Sequence, residues 1–155
     1  MTAIIDLLGP GAVSSDLHTA STKTLFQSLG QIAEREYGLP PALVVERLTE
    51  RERLGSTGFG GGVAIPHGKV EGLDHVVGLF VHLAEPVDFK AIDDLPVDLV
   101  FCLLSPPDAG SEHLKALAQV SRWLRDRTFV AKLRGAGSAD AIFALFSAID
   151  ARDAA

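Results

Sequence analysis

Residues 55–69 read GSTGFGGGVAIPHGK, a stretch in which six of fifteen residues are glycine and a short strand-like run delivers one histidine, His67. Glycines at this density let a large anion approach the main chain and allow positive φ values that turn successive N–H groups inward. The stretch therefore suits a histidine that carries, or lies beside, a phosphoryl group. It equally suits a bare turn with His67 on the surface, and spacing does not separate the two. Established nucleotide motifs do not fit. A P-loop has four residues between its first glycine and the Gly-Lys pair, whereas five separate Gly62 from Gly68, Pro66 is among them, and Val70 follows Lys69. A dinucleotide fingerprint fails because Ile65 stands where the third glycine should follow Gly60 and Gly62. No Gly-x-Ser-x-Gly elbow is present either.

Two further residues lie on the wrong faces of their helices. With Val44 at zero and about 100° per residue, Leu48 falls at about 40°, Arg51 at about −20° and Arg53 at about 180°. Arg51 thus shares the apolar stripe. A guanidinium there costs stability unless it meets an anion, functional or a structural glutamate. His113 stands with Leu117, Val120 and Leu124 at i, i+4, i+7 and i+11. It is either a satisfied core histidine or, on the first turn of a helix whose N-terminus attracts anions, a proton-donating partner for one.

The elements that must position these residues are legible around them. Leu25, Leu29, Ile32 and Ala33 form a helical stripe after a Ser21 or Thr22 cap and before Gly38. Two prolines open a second helix over about 41–53, which ends at Gly55 and feeds directly into the glycine stretch. HVVGLFVHL and VDLVFCLL lack polar alternation and read as strands covered on both faces. AEPVDFKAIDDLP between them has the content of a turn or short strand pair. SEHLKALAQVSRWLRDR has the charge order a helix dipole favours, and shorter helices are expected over about 128–134 and 138–150. Helices at both ends and strands in the middle give an α/β layered domain.

Composition bounds the function. A chain of 155 residues, 47% hydrophobic, can bury about 70% of its unfolded surface as one domain. The net charge of −6 argues against a nucleic-acid footprint and towards small molecules or basic protein surfaces. Asp6 breaks the N-terminal apolar run and no basic region precedes it, so neither a signal peptide nor a membrane span is expected, and the address is cytoplasmic by default. Cys102 lies in an apolar run and reads as a small core hydrophobe. His18, His75 and His82 read as structural or exposed, and a zinc site combining His67, His75, His82 and His113 matches no ligand spacing, so no metal or other cofactor is expected.

ERERLGSTGFGGGVAIPHGKV, PVDFKAIDDLPVDLVFCLLSP and HLKALAQVSRWLRD together resemble the enzyme IIA domains of the fructose/mannitol type in the bacterial phosphotransferase system, in particular their stand-alone nitrogen-regulatory branch. The resemblance spans about 3–148 of a single domain over 1–155. It implies a mixed sheet flanked by helices on both faces. It also implies that His67 accepts a phosphoryl group through Nε2 from a small histidine phosphocarrier protein (HPr-like), with Arg51 and His113 supporting the phosphohistidine. Ser56, Thr57, Gly60, Gly61, Gly62 and Gly68 would form the phosphate loop, and regulatory target proteins would read the phosphorylation state. The segment GFGGG departs from nitrogen-type members, which more often carry Ile after the second glycine and Asn between the last two. Alternatives are a sugar-specific IIA that passes the group to a IIB domain, a non-catalytic anion-binding module, and a metal-dependent hydrolase.

Overall fold

The computed structural model describes residues 3–154. A one-turn helix α1 (Ile4–Leu7) and a 3-10 turn (Pro10–Ala12) lead into strand β1 (Val13–Leu17), followed by helices α2 (Thr22–Tyr37) and α3 (Pro41–Arg53). α2 begins on a capping box: the Thr24 N–H donates to Ser21 Oγ and the Ser21 N–H donates to Thr24 Oγ1, satisfying amides the helix cannot pair internally. It stops where Gly38 takes a left-handed φ of 69°. Its expected stripe of Leu25, Leu29, Ile32 and Ala33 is buried. α3 starts with Pro41, whose missing N–H would be unpaired in the first turn in any case.

Five further strands complete one mixed sheet: β2 (Gly58–Gly60), β3 (Val63–Ala64), β4 (His67–Lys69), β5 (Val77–Val87) and β6 (Val97–Ser105). The order is β1-β5-β6-β3-β2, with β4 also paired to β6. β5 and β6 are antiparallel, β1 runs parallel to β5, and β3 and β4 run parallel to β6. Consecutive residues Val77 to Val81 of β5 and Leu99 to Ser105 of β6 are all buried, so both faces of the sheet centre are covered, as the unbroken apolar runs imply. Phe80, Phe101 and Phe146 meet edge to face with ring centroids 5.0–6.1 Å apart. Burying each such ring contributes about 1.5–3 kcal/mol. Cys102 is buried in β6, and burial pushes its thiol far above the ordinary range. Helices α4 (Ser111–Arg125), α5 (Arg127–Gly135) and α6 (Ala139–Ala154) follow β6.

Three features differ from the expectation. β1 puts a strand before the long helices. Its sequence, VSSDL, reads as polar loop because it is a sheet edge with one neighbour, and its pairing shifts register between Ser14 and Leu17, where Asp16 has a φ of 56°. Residues 84–87 extend β5 instead of forming a separate pair, and the turn is confined to 88–96. The segment after the glycine hairpin is a single strand interrupted for two residues. Val63 and Ala64 pair with Leu99 and Val100, and His67 to Lys69 pair with Leu103 to Ser105. Between them the Ile65 N–H donates to Thr57 O and Pro66 has no N–H to offer.

Candidate functional site

Pro66 interrupts the strand and His67 resumes it beside Leu103, near the carboxyl end of β6, the end at which open α/β sheets bind ligands. The His67 ring is half-buried, and its Nδ1 lies 2.9 Å from the carbonyl oxygen of Ile65. A carbonyl only accepts, so Nδ1 carries the proton and Nε2 keeps its lone pair. The same geometry places Arg51 Nε 3.1 Å from His67 Nε2, donating to that lone pair. Burial lowers the His67 pKa and the Arg51 charge lowers it further, against the opposing pull of the Ile65 hydrogen bond. The ring is held neutral with a defined nucleophilic nitrogen.

Arg51 comes from the last turn of α3, on the inward side, while Arg53 is exposed, as the helical angles require. Its Nη1 donates to Gly55 O at 3.0 Å, so the guanidinium is braced by the backbone that follows its own helix. Gly68 sets how closely that helix approaches. A Cβ there would stand 3.2 Å from the Cβ of Arg47, tighter than ordinary contact. Arg47 precedes Arg51 by one helical turn. The missing side chain at Gly68 therefore lets α3 settle on β4 at the height that puts Arg51 over His67.

His113 lies on the first turn of α4 and is buried, with its ring centroid 5.5 Å from that of His67. Burial, then the neighbouring His67 and Lys69, lower its pKa. Its Nδ1 lies 2.6 Å from the hydroxyl of Ser105, a fully buried residue at the end of β6. The hydroxyl can donate or accept here; when Ser105 Oγ donates to Nδ1 the proton sits on Nε2, the tautomer that can donate to an anion on His67. Ser105 is the functional candidate that sequence reasoning missed. Its only signal is a lone hydroxyl closing the apolar run VDLVFCLLS, and its partner is eight residues further on.

The structure brings Arg51, His67, Gly68 and His113 together and separates them from the other glycines. Gly60, Gly61 and Gly62, all at positive φ, form the β2–β3 hairpin turn at the Leu99 end of β6. Four positions along a strand separate Val63 from His67, roughly 13 Å. The Gly61 N–H donates to Asp93 Oδ2, and Arg134 Nη2 donates to Gly61 O. Ser56 and Thr57 are likewise committed to structure: the Ser56 hydroxyl donates to Phe89 O, and Thr57 donates through its N–H and its hydroxyl to the Glu52 carboxylate. The hairpin and these two side chains shape the loop that carries the strand to His67. His82 pairs with Leu99 at that distant end, and His75 pairs with Asp74, so neither joins His67.

The chain matches known proteins over most of its length. Residues 6–149 match the family model of the phosphoenolpyruvate-dependent sugar phosphotransferase system, EIIA 2. The chain is similar to a nitrogen regulatory protein of Bradyrhizobium diazoefficiens, 45% identical over 144 residues that cover 93% of this chain and 94% of that protein. It is also similar to a nitrogen regulatory protein of Escherichia coli, 41% identical over 134 residues that cover 86% of this chain and 82% of the relative. The crystal structure of nitrogen regulatory protein IIA-Ntr from Neisseria meningitidis superposes with a TM-score of 0.86 at 39% identity, covering 92% of this chain and 98% of that one. Among the described residues no helix is long and apolar enough to cross a membrane. The chain belongs to the EIIA 2 family of the phosphoenolpyruvate-dependent sugar phosphotransferase system.

Proposed function

We propose that His67 is the phosphoryl acceptor of a phosphoenolpyruvate-dependent relay, taking the group through Nε2 from the phosphohistidine of an HPr-like carrier of the nitrogen branch. The observation that carries this reading is the pairing of a fixed Nδ1–H on Ile65 O with a lone pair on Nε2 beside Arg51. In the transfer the donor P–N bond breaks as the Nε2–P bond forms, and the electron pair of the broken bond returns to the donor nitrogen. Nδ1 keeps its proton, and the Ile65 carbonyl faces the positive charge that spreads into the ring. Arg51 releases the lone pair and turns its N–H groups to the phosphoryl oxygens, and His113 donates through Nε2. Because the transferring group is loose and charge-spread, positioning and electrostatics supply most of the rate.

Protein docking at this site is supported by two large exposed apolar residues that neighbour its members in the chain, Leu54 at 84% exposure three residues after Arg51 and Leu114 at 67% next to His113. The product carries about −2 of new charge, enough to switch partner binding. The relatives named nitrogen regulatory proteins support a regulatory role in which cytoplasmic targets read that charge. Incubation with a general enzyme I, a nitrogen-type carrier and phosphoenolpyruvate should add one acid-labile phosphoryl mass to the wild type and none to His67→Ala. No gain with either a nitrogen-type or a sugar-type carrier would reject the relay and leave an anion-binding module.

A further inference from the structure

The glycine hairpin that does not reach His67 forms one wall of a groove against α4 and α5. The hollow measures about 830 Å³, and Phe59, Val63, Leu124 and Val130 supply its apolar lining. Ile92 stands on its rim at 88% exposure. Three arginines, Arg125, Arg127 and Arg134, line it against one carboxylate, Asp93, in a chain whose net charge is −6. Asp93 is already engaged by the N–H groups of Gly61 and Leu95. Arg134 is fixed on Asp98 and on Gly61 O. The guanidinium groups of Arg125 and Arg127 have no carboxylate partner among the described residues.

We propose that this groove docks an acidic amphipathic helix of a partner protein, with the helix's apolar side on Phe59 and Ile92 and its carboxylates on Arg125 and Arg127. Charge selects the occupant: an overall acidic protein keeps two free cations beside exposed apolar surface, which complements apolar residues flanked by glutamate or aspartate. Shape selects a protein over a small molecule. Small-ligand sites enclose 70–90% of their ligand, whereas here a large apolar side chain stands almost free in solvent at the rim. The groove lies at the Leu99 end of the sheet, so a docked partner leaves His67 accessible, and the inference does not depend on phosphoryl transfer.

The test is an amide chemical-shift titration of the full chain with a synthetic helix of about 18 residues, five turns, carrying leucines at i, i+3, i+4 and i+7 and glutamates on the flanks. Saturable shifts should centre on Phe59, Gly61, Ile92 and Arg127. The same peptide with lysines replacing the glutamates should give none. The double variant Arg125→Glu/Arg127→Glu should weaken binding by at least about tenfold while keeping the wild-type ring signals of His67 and His113 as proof of folding; Ile92→Ser provides a second, charge-neutral variant that should also weaken it. Absence of saturable shifts, an equal response to the lysine peptide, or shifts centred on His67 and His113 would overturn the proposal. So would sedimentation showing that a second copy of the chain occupies the groove.

Discussion

The two ends of the interrupted strand 63–69 both adjoin glycine and differ in what surrounds the backbone. At the Leu99 end, Gly60, Gly61 and Gly62 use positive φ to turn a hairpin, and their polar groups are taken up by Asp93, Asp98, Leu99 and Arg134. At the Leu103 end, a single glycine, Gly68, works by close approach, letting α3 bring Arg51 over His67. Glycine density alone therefore does not locate an anion site. What distinguishes the Leu103 end is convergence: two histidines whose pKa values are lowered by burial, one guanidinium, and the N-terminal turn of α4 meet there.

The largest effects should separate the two ends by function. Arg51→Ala and His113→Ala should each slow phosphoryl transfer by ~10²-fold, read from single-turnover rates with phosphorylated carrier. Arg51→Lys should recover little, because an ammonium cannot reproduce the Nε contact to His67 together with the Nη1 contact to Gly55 O. A variant at the hairpin should do the reverse. In Gly62→Ala the new Cβ would collide with Arg134 Nη2, at a φ of 80°. Chemical denaturation should show a loss of about 1–3 kcal/mol, with the transfer rate close to wild type. An equal rate loss in Gly62→Ala would mean that the hairpin acts on the phosphoryl group after all.

Ser105→Ala should fall between these classes. Leaving the buried His113 Nδ1 without its partner should cost about 1–3 kcal/mol, and freeing the tautomer should reduce transfer by less than loss of His113 itself. Rescue by Ser105→Thr, which restores a hydroxyl, would separate orientation from packing.

The smallest expected effect is on the pH dependence of stability. His67 and His113 both titrate below their ordinary value of 6.5 in the fold, so near that pH the unfolded chain binds more protons than the native one. Their contribution is full above 6.5, declines as pH falls below it, and is lost through the lower folded values. The midpoint of thermal unfolding should drop on acidification across this range. The double variant His67→Ala/His113→Ala should show a shallower fall.

Much of this was legible in the residues, for identifiable reasons. α3 was readable at both ends because Pro41 can only open a helix comfortably and Gly55 follows its close. Arg51 and His113 stood out because each breaks an apolar stripe, and both converge on His67. β1 was hidden by its serines and aspartate, since an edge strand needs no continuous apolar run. β2, β3 and β4 are two or three residues long, too short for periodicity to register. The separation of Gly60, Gly61 and Gly62 from His67 is a matter of register, set by which residues of β6 each piece meets. Local glycine content does not encode that. Ser105 was missed because its contact to His113 bridges a loop, and only the fold brings them together.

The most direct test of the proposed chemistry is a long-range ¹H–¹⁵N spectrum of the His67 ring before and after incubation with enzyme I, carrier and phosphoenolpyruvate. The geometry predicts a neutral ring protonated at Nδ1 beforehand, and afterwards a phosphorus coupling on Nε2 with Nδ1 still protonated. A ring protonated at Nε2 at the outset, or a phosphoryl group attached to Nδ1, would contradict it.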